Sequence, residues 1–424
     1  MHKIERLLQT LAPKGVEFKT LEEIFEIKNG YTPSKNNPEF WKNGTIPWFR
    51  MEDIRENGRI LKDSIQHITP KALKGKKLFP KNSIIISTTA TIGEHALLIV
   101  DSLANQRFTF LSKKANCNLA LDMKFFFYQC FLLGEWCKNN INVSGFASVD
   151  MTAFKKYKFP IPPLEIQQEI VKILDAFTEL NTELNTELKA RKKQYEYYQN
   201  MLLDFNDINQ SHKDAKERLA QKPYPKRLKT LLQTLAPKGV GFRKLGEVCD
   251  FQKGKSITKK AVTFGKVPVI SGGRQPAYYH NEANRSGETI AISSSGVYAG
   301  YVSYWDIPVF LADSFSVSPK QKTLMPKYLF HYLTTQQDAI HATKSAGGIP
   351  HVYSKDLQNF LIPIPPLEIQ QEIVKILDQF SILTTDLLAG IPAEIKARKK
   401  QYEYYREKLL TFKPLTPQKE VKKY

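Results

Sequence analysis

The sequence predicts an α+β protein: two globules of mixed helix and strand, joined by two long helices packed as an antiparallel coiled coil in a pseudo-twofold repeat. Three observations predict it. First, the chain is written twice. LLQTLAPKGV occupies Leu7–Val16 and returns at Leu231–Val240, PIPPLEIQQEIVKILD occupies Pro160–Asp175 and returns at Pro363–Asp378, and KARKKQYEYY occupies Lys189–Tyr198 and returns at Lys396–Tyr405. Second, Ile166, Ile170, Ile173, Leu174, Phe177, Leu180, Leu184 and Leu188 recur at helical spacing along one narrow seam. Third, the middles between the repeated blocks, residues 17–159 and 241–362, agree only in scattered apolar runs. SIIISTTATIG (Ser83–Gly93) lies beside TIAISSSGVYAG (Thr289–Gly300), and LANQRF (Leu103–Phe108) beside LADSF (Leu311–Phe315).

In order along the chain these give a first globule (1–159), a helical spacer (160–208), a linker (209–226), a second globule (227–362), a second spacer (363–413) and a basic tail (414–424). Pro162-Pro163 opens the first helix, because proline lacks only an N–H that would be unpaired there. Leu164–Leu203 then extends about 60 Å at about 1.5 Å per residue. A helix of that length with one narrow seam needs a partner, and the second copy, Leu367–Leu410, supplies it. That copy is expected to break at Gly390-Ile391-Pro392, where proline removes a backbone donor and clashes with the preceding turn. TELNTELNTEL (residues 178–188) has no counterpart in the second copy, whose corresponding segment is four residues longer. Each such tetrad adds about 6 Å of helix, so the tetrad count is expected to set the distance between the globules.

Sixty-two Lys+Arg against 42 Asp+Glu leave a net charge of +20, which favours a polyanionic partner. Cys117, Cys130, Cys137 and Cys249 form no CxxC pair, so the chain is read as a cytoplasmic protein with reduced thiols rather than a disulfide or zinc scaffold. The apolar run Phe125–Trp136 is too short to span a bilayer and carries Glu135; it predicts a buried helix. Chemistry is missing from the motifs. Gly254-Lys255-Ser256 ends like a phosphate-binding loop, but Cys249 stands where its first glycine is needed. The IPPL segments around Pro162-Pro163 and Pro365-Pro366 lack the polar and aromatic neighbours of an amino-methyltransferase site. No HExxH, GxSxG or EF-hand pattern occurs. His351 in GGIPHVYS is read as a loop hydrogen-bonder. The expectation is a non-catalytic chain with no metal or cofactor of its own.

The alternation of globule and helix, the IPPLEIQQEIVKILD and ARKKQYEYYREKLL blocks and the TELN tetrads resemble the specificity (S) subunits of type I restriction–modification enzymes, over essentially the whole chain. The resemblance implies two target-recognition domains, each reading one half of a bipartite, asymmetric sequence in double-stranded DNA. It implies helices that recruit two modification subunits, which use S-adenosylmethionine to methylate adenine. It also implies a restriction subunit that couples ATP and Mg to translocation and cleavage. The tetrads match a spacer feature of that family. The asymmetry between the two helices is a departure from an even repeat.

DNA contacts call for Lys, Arg and short polar donors, with base readout resting on fewer of them. In the first globule the candidates are Lys28, Tyr31 and Lys35 in one loop, then Arg50, Arg55 and Arg59, and the hydroxyls Ser87, Thr88 and Thr89 at the end of a strand-like run. In the second they are Lys253, Lys255, Lys259 and Lys260, then Arg274, Tyr278, Tyr279, His280 and Arg285, and the hydroxyls Ser293, Ser294 and Ser295. Arg107 is read as structural, because LADSF carries no arginine. For the spacer and its partner subunit the candidates are Ile166, Ile170, Leu180, Leu184, Leu188, Arg191 and Lys192, with Ile369, Ile373, Arg398 and Lys399 in the second copy. Two other classes compete: the recognition part of a self-sufficient restriction–methylation enzyme, and a helical scaffold that binds no DNA.

Overall fold

The computed structural model describes residues 2–142, 146–209, 214–320, 322–345, 348–385 and 390–415. Nearly all of the predicted basic tail and part of the predicted linker lie outside the described residues. The chain forms two compact units, residues 1–183 with 396–424, and residues 184–395. The first long helix is unbroken over Leu164–Leu203, the bounds the sequence predicts, and the division between the units falls within its tetrads. The second is two helices, Leu367–Thr385 and Ile391–Leu410. Gly390 sits tightly between them: a Cβ there would lie 2.3 Å from the Ile382 carbonyl oxygen and 2.8 Å from that of Leu383. Pro392 falls in the first turn of the new helix, where its missing N–H is not needed. No described helix is long and apolar enough to cross a membrane.

Among the described residues of the first unit, one sheet has the strand order Phe25–Asn29, Phe108–Lys113, Ser83–Ser87, His95–Leu98, Ile60–Leu61, and a smaller one the order His67–Ile68, Ile46–Phe49, Leu103–Ala104. The second unit repeats the plan. Cys249–Lys253, Ser314–Pro319, Thr289–Ser293 and Val302–Trp305 form its larger sheet, and Tyr278–His280, Val267–Ile270 and Phe310–Leu311 its smaller one. The smaller sheets share even their mixed pairing, antiparallel on one side and parallel on the other. Ser83–Ser87 and Thr289–Ser293, the two apolar runs matched in the sequence, are equivalent inner strands buried along their whole length. The run Phe125–Trp136 lies in the helix Met123–Asn139, packed in the first core as predicted.

The repeated blocks hold each unit together. In the first unit the start of the long helix packs on Ile391–Leu410. Along Met123–Asn139, the Asp122 amide donates to Gln167 and the Tyr128 hydroxyl to Asp175, while Phe125 meets Phe412 and Arg406 lies over Phe131. One partner's numbers rise where the other's fall, so the paired helices run antiparallel. In the second unit the Tyr198 ring stacks on Phe380 at 5.0 Å. Gln167 donates to the carbonyls of Ala120 and Pro162, and Gln370 to those of Thr323 and Pro365. Asp175 accepts from Lys124 and Tyr128; Asp378 accepts from Lys327 and lies 3.0 Å from His331 Nε2. The LAPKGV turns dock on whatever follows a long helix: the Val16 amide on the Lys413 carbonyl, the Val240 amide on that of Ile208.

Candidate nucleic-acid interface

In the first unit the strand Ser83–Ser87 runs out into a tight turn, Thr88–Gly93, in which Ala90 takes a left-handed φ of 62°. Beside this turn a cavity of about 240 Å³ is lined by Thr32, Lys35, Arg50, Ser87, Gln106 and Arg107, among others. Two predicted basic residues from separate segments, Lys35 and Arg50, thus converge, with Ser87 behind them, buried and donating its hydroxyl to the Thr89 carbonyl. Lys35 is exposed, and the Arg50 guanidinium lies 5.8 Å from the Trp48 ring with its Nε buried and without a hydrogen-bond partner. Arg107 corrects the sequence reading. It is not inside the fold but exposed on this cavity, because the Arg107 carbonyl accepts from the Thr88 amide and leaves its side chain outward. The sequence signal was present in the polar pair Gln106-Arg107, and comparison with LADSF concealed it.

Other candidates are engaged elsewhere. Thr88 is buried with its hydroxyl 3.0 Å from that of Thr109, and Arg59 is held by Glu94 at 2.6 Å and the His95 carbonyl at 3.0 Å. Lys28 pairs with Glu26 on its own strand. Tyr31 is half-buried under the Lys76 ammonium, 3.9 Å from the ring centroid. Thr89 is half-buried and bridges Ser148, and Arg55 is exposed on the helix Met51–Asn57, away from the cavity lining.

The second unit presents different chemistry at the equivalent place. The strand Thr289–Ser293 ends in the turn Ser294–Gly300, where the Ser294 amide donates to the Asp313 carbonyl at 3.0 Å and the Ser295 hydroxyl to the Asp313 carboxylate. Exposed Arg274 lies 4.9 Å from the Tyr298 ring and 5.6 Å from that of Tyr301. Gly272 lets its backbone approach that turn, since a Cβ would stand 2.5 Å from the Ser295 carbonyl oxygen. Tyr278 and Tyr279 are exposed on the edge strand Tyr278–His280, and Lys253, Lys255, Lys259 and Lys260 are exposed along the segment that leaves Cys249–Lys253.

Four readings of the second unit change or sharpen. Arg285 is a brace rather than an available contact: its guanidinium donates to Ser316 and to the carbonyls of Asn284, Gln252 and Lys253, and burial lowers its pKa. His280 is buried, with Nδ1 3.1 Å from the Thr263 carbonyl. Ser293 is buried and its hydroxyl donates to the Ser271 carbonyl. His351 stacks on Tyr353 at 5.9 Å and its backbone bridges Ser295.

On the helices, Ile166, Ile170, Ile369 and Ile373 are fully buried in the units' own cores and present nothing to another subunit. Leu180, Leu184 and Leu188 are half-buried, Arg191 lies 3.5 Å from Glu187 and 3.1 Å from Gln194, and Arg398 donates to Gln401. Lys192 and Lys399 are exposed. Sequence reading passed over Tyr197 and Tyr404, equivalent positions of the repeated block that are each 59% exposed. Their partners in the same motif, Tyr198 and Tyr405, stack inward on Phe380 and Phe177.

Comparison with known proteins follows the same division. The type I restriction modification DNA specificity domain matches twice, over residues 13–193 and 237–397. The chain is 41% identical over 403 residues to the type I restriction enzyme EcoprrI specificity subunit of Escherichia coli, covering 91% of this chain and 93% of that one. It is 33% identical over 294 residues to the EcoR124I/EcoR124II specificity subunit of the same organism, 62% and 65% of the two chains. Among solved structures, the type I restriction–modification S subunit from M. genitalium superposes with a TM-score of 0.56 at 19% identity, covering 95% of this chain and 97% of the other. The last agreement is one of fold. With the profile matched over most of the sequence and the EcoprrI subunit matched nearly end to end, the chain belongs to the family of type I restriction–modification specificity subunits.

Proposed function

We propose that the chain is the DNA-reading subunit of a type I restriction–modification complex, in which each unit reads one half of a bipartite, asymmetric sequence and the chain performs no chemistry itself. One observation carries the reading. At the same place in the same fold the two units offer different side chains: Lys35, Arg50, Gln106 and Arg107 in one, Arg274, Tyr298 and Ser295 with Asp313 in the other. One scaffold with two surfaces suits two unlike half-sequences. The net charge of +20 supplies the sequence-independent attraction to phosphates. The repeated segments bearing Arg191, Lys192 and Tyr197, and Arg398, Lys399 and Tyr404, would recruit two copies of a modification subunit. That subunit carries S-adenosylmethionine, and the restriction subunit carries ATP and Mg.

Footprinting of the chain with its modification partner is expected to protect two short segments about one helical turn apart, with affinity falling steeply as salt rises. One contiguous footprint, a flat salt response, or methyl transfer by the chain alone overturns the proposal. The two surfaces are also separable. Arg107→Ala is expected to weaken binding by about 1–3 kcal/mol if it reads a base and to relax selection at one half-sequence. Arg274→Ala is expected to do the same at the other. Site selection from random DNA checks this, and a uniform loss across both halves would make these residues phosphate contacts only.

A further inference from the structure

We propose that Phe146 and Ile349 are a matched pair of apolar wedges, each entering between adjacent base pairs of the half-sequence its own unit reads. The proposal rests on the DNA-reading function above. Phe146 is 79% exposed and Ile349 65% exposed, among the most exposed large apolar side chains described. A lone exposed apolar residue is ordinary in a soluble protein. This pair is not lone. Phe146 lies three residues before Val149 and Ile349 three before Val352, in the segments SGFASV and GGIPHV, whose other letters mostly differ.

The backbone pins the stretch just after both residues in the same way. The Val149 amide donates to the Thr88 carbonyl at 2.9 Å, and the Val352 amide to the Ser294 carbonyl at 2.9 Å. Ser148 bridges Thr89, and His351 bridges Ser295. In each unit, therefore, a large apolar side chain stands outward beside the turn that leaves the inner strand. That turn borders the candidate reading surface: Ser87 and Thr91 line the first cavity, and Tyr298, over which Arg274 lies, follows Ser295. The Gly296 amide, donating to the Pro350 carbonyl at 3.0 Å, ties Ile349's neighbour to the same turn.

The chemistry selects the occupant. A water-facing apolar side chain beside a turn that borders Lys35, Arg50 and Arg107 in one unit and carries Tyr298 under Arg274 in the other suits a surface whose outside is anionic and whose interior is flat and apolar, which is a base-pair step. Side chains of this kind partly unstack the step they enter and kink the duplex. A protein subunit would be met by the repeated helical segments instead, since those are the parts the two copies keep identical.

The test uses the full chain with its modification partner on duplex carrying both half-sequences, with 2-aminopurine placed at successive positions as a reporter of unstacking. Wild type is expected to raise fluorescence at one step in each half. Phe146→Ala should abolish the rise in one half only and weaken binding about tenfold, in line with the loss of one stacking contact. Ile349→Ala should do so in the other half only. Phe146→Leu should retain both signals, and an exposed apolar residue elsewhere, Leu361→Ala, should change neither. Salt-dependent, sequence-specific binding with no fluorescence change at any position, or alanine variants that leave the signals intact, overturns the wedges and leaves the reading function standing. Absence of duplex binding by wild type overturns both.

Discussion

Deleting Asn181–Leu184 is expected to shorten the gap between the two half-sequences by one or two base pairs while leaving both half-sequences unchanged. The segment is one TELN-length tetrad of an unbroken 40-residue helix, and the two units divide within it. Four residues are about 6 Å of helix, against about 3.4 Å per base pair along one strand. They also turn the helix by about 400°, which is one full turn and about 40° more, so the faces beyond the deletion keep nearly their former direction. The seam survives as well, since Leu188 moves into the position of Leu184 and both are half-buried leucines. The candidate reading surfaces lie far from the deletion in sequence and keep their own packing. Selection of bound sites from random DNA decides the matter. An unchanged gap removes the ruler, and altered half-sequences mean that the tetrads shape the reading surfaces instead.

Between pH 7 and pH 5, acid is expected to destabilise the first unit through His95. Its ring is fully buried between Phe127 and Phe131, at 5.5 and 4.6 Å. Nδ1 lies 3.1 Å from the Gly93 carbonyl, to which it donates, while Nε2 is buried with no partner to receive a second proton. Burial first, and then the nearby positive charge of Arg59, lowers its pKa from 6.5 to about 3. Arg406 and Lys138 act in the same direction. The unfolded chain therefore binds a proton below pH 6.5 that the folded chain refuses, so stability present above that pH is lost progressively as pH falls towards 3. At about 1.36 kcal/mol per pH unit the loss reaches about 2 kcal/mol by pH 5, before most carboxylates titrate. Urea titrations of the full chain at pH 7 and pH 5 measure it. His95→Phe should flatten the difference in the transition that reports the first unit, and an equal slope in wild type and variant would refute the assignment.

Much of the architecture was legible because its signals are local. The helix Leu164–Leu203 follows from a prolyl start and a seam at fixed spacing, and the break before Ile391 from Gly390 and Pro392. The shared fold of the two middles was far less legible. A strand pair is specified by alternation and burial rather than by particular letters, so SIIIS and TIAIS can occupy equivalent inner strands with few identities around them. The candidate surfaces were legible only in part. Lys35 and Arg50 announced themselves by charge, whereas Arg107 was discounted and Arg285 overvalued, because both judgements turn on where a guanidinium ends. Hydrogen bonds to the carbonyls of Gln252 and Lys253 commit Arg285 across more than 30 residues of chain, and no local pattern reveals such a closure.

By itself, then, the sequence determined the duplication, the rods and their interruption, the excess of positive charge and the family to which the chain belongs. The rods, their interruption and the charge are carried by composition or by periodicity within one stretch of chain, and the duplication and the family by the identity of whole repeated blocks. Only the tertiary structure decided why the repeated blocks are repeated. Gln167 and Gln370 tie the loops before Met123–Asn139 and Pro326–Thr335 to the long helices, and Asp175 and Asp378 anchor those two helices in turn. It also decided which basic residues face solvent at the ends of the inner strands. Those outcomes depend on contacts between residues distant in sequence, where packing and the pairing of buried polar groups, rather than local preference, set the direction of each side chain.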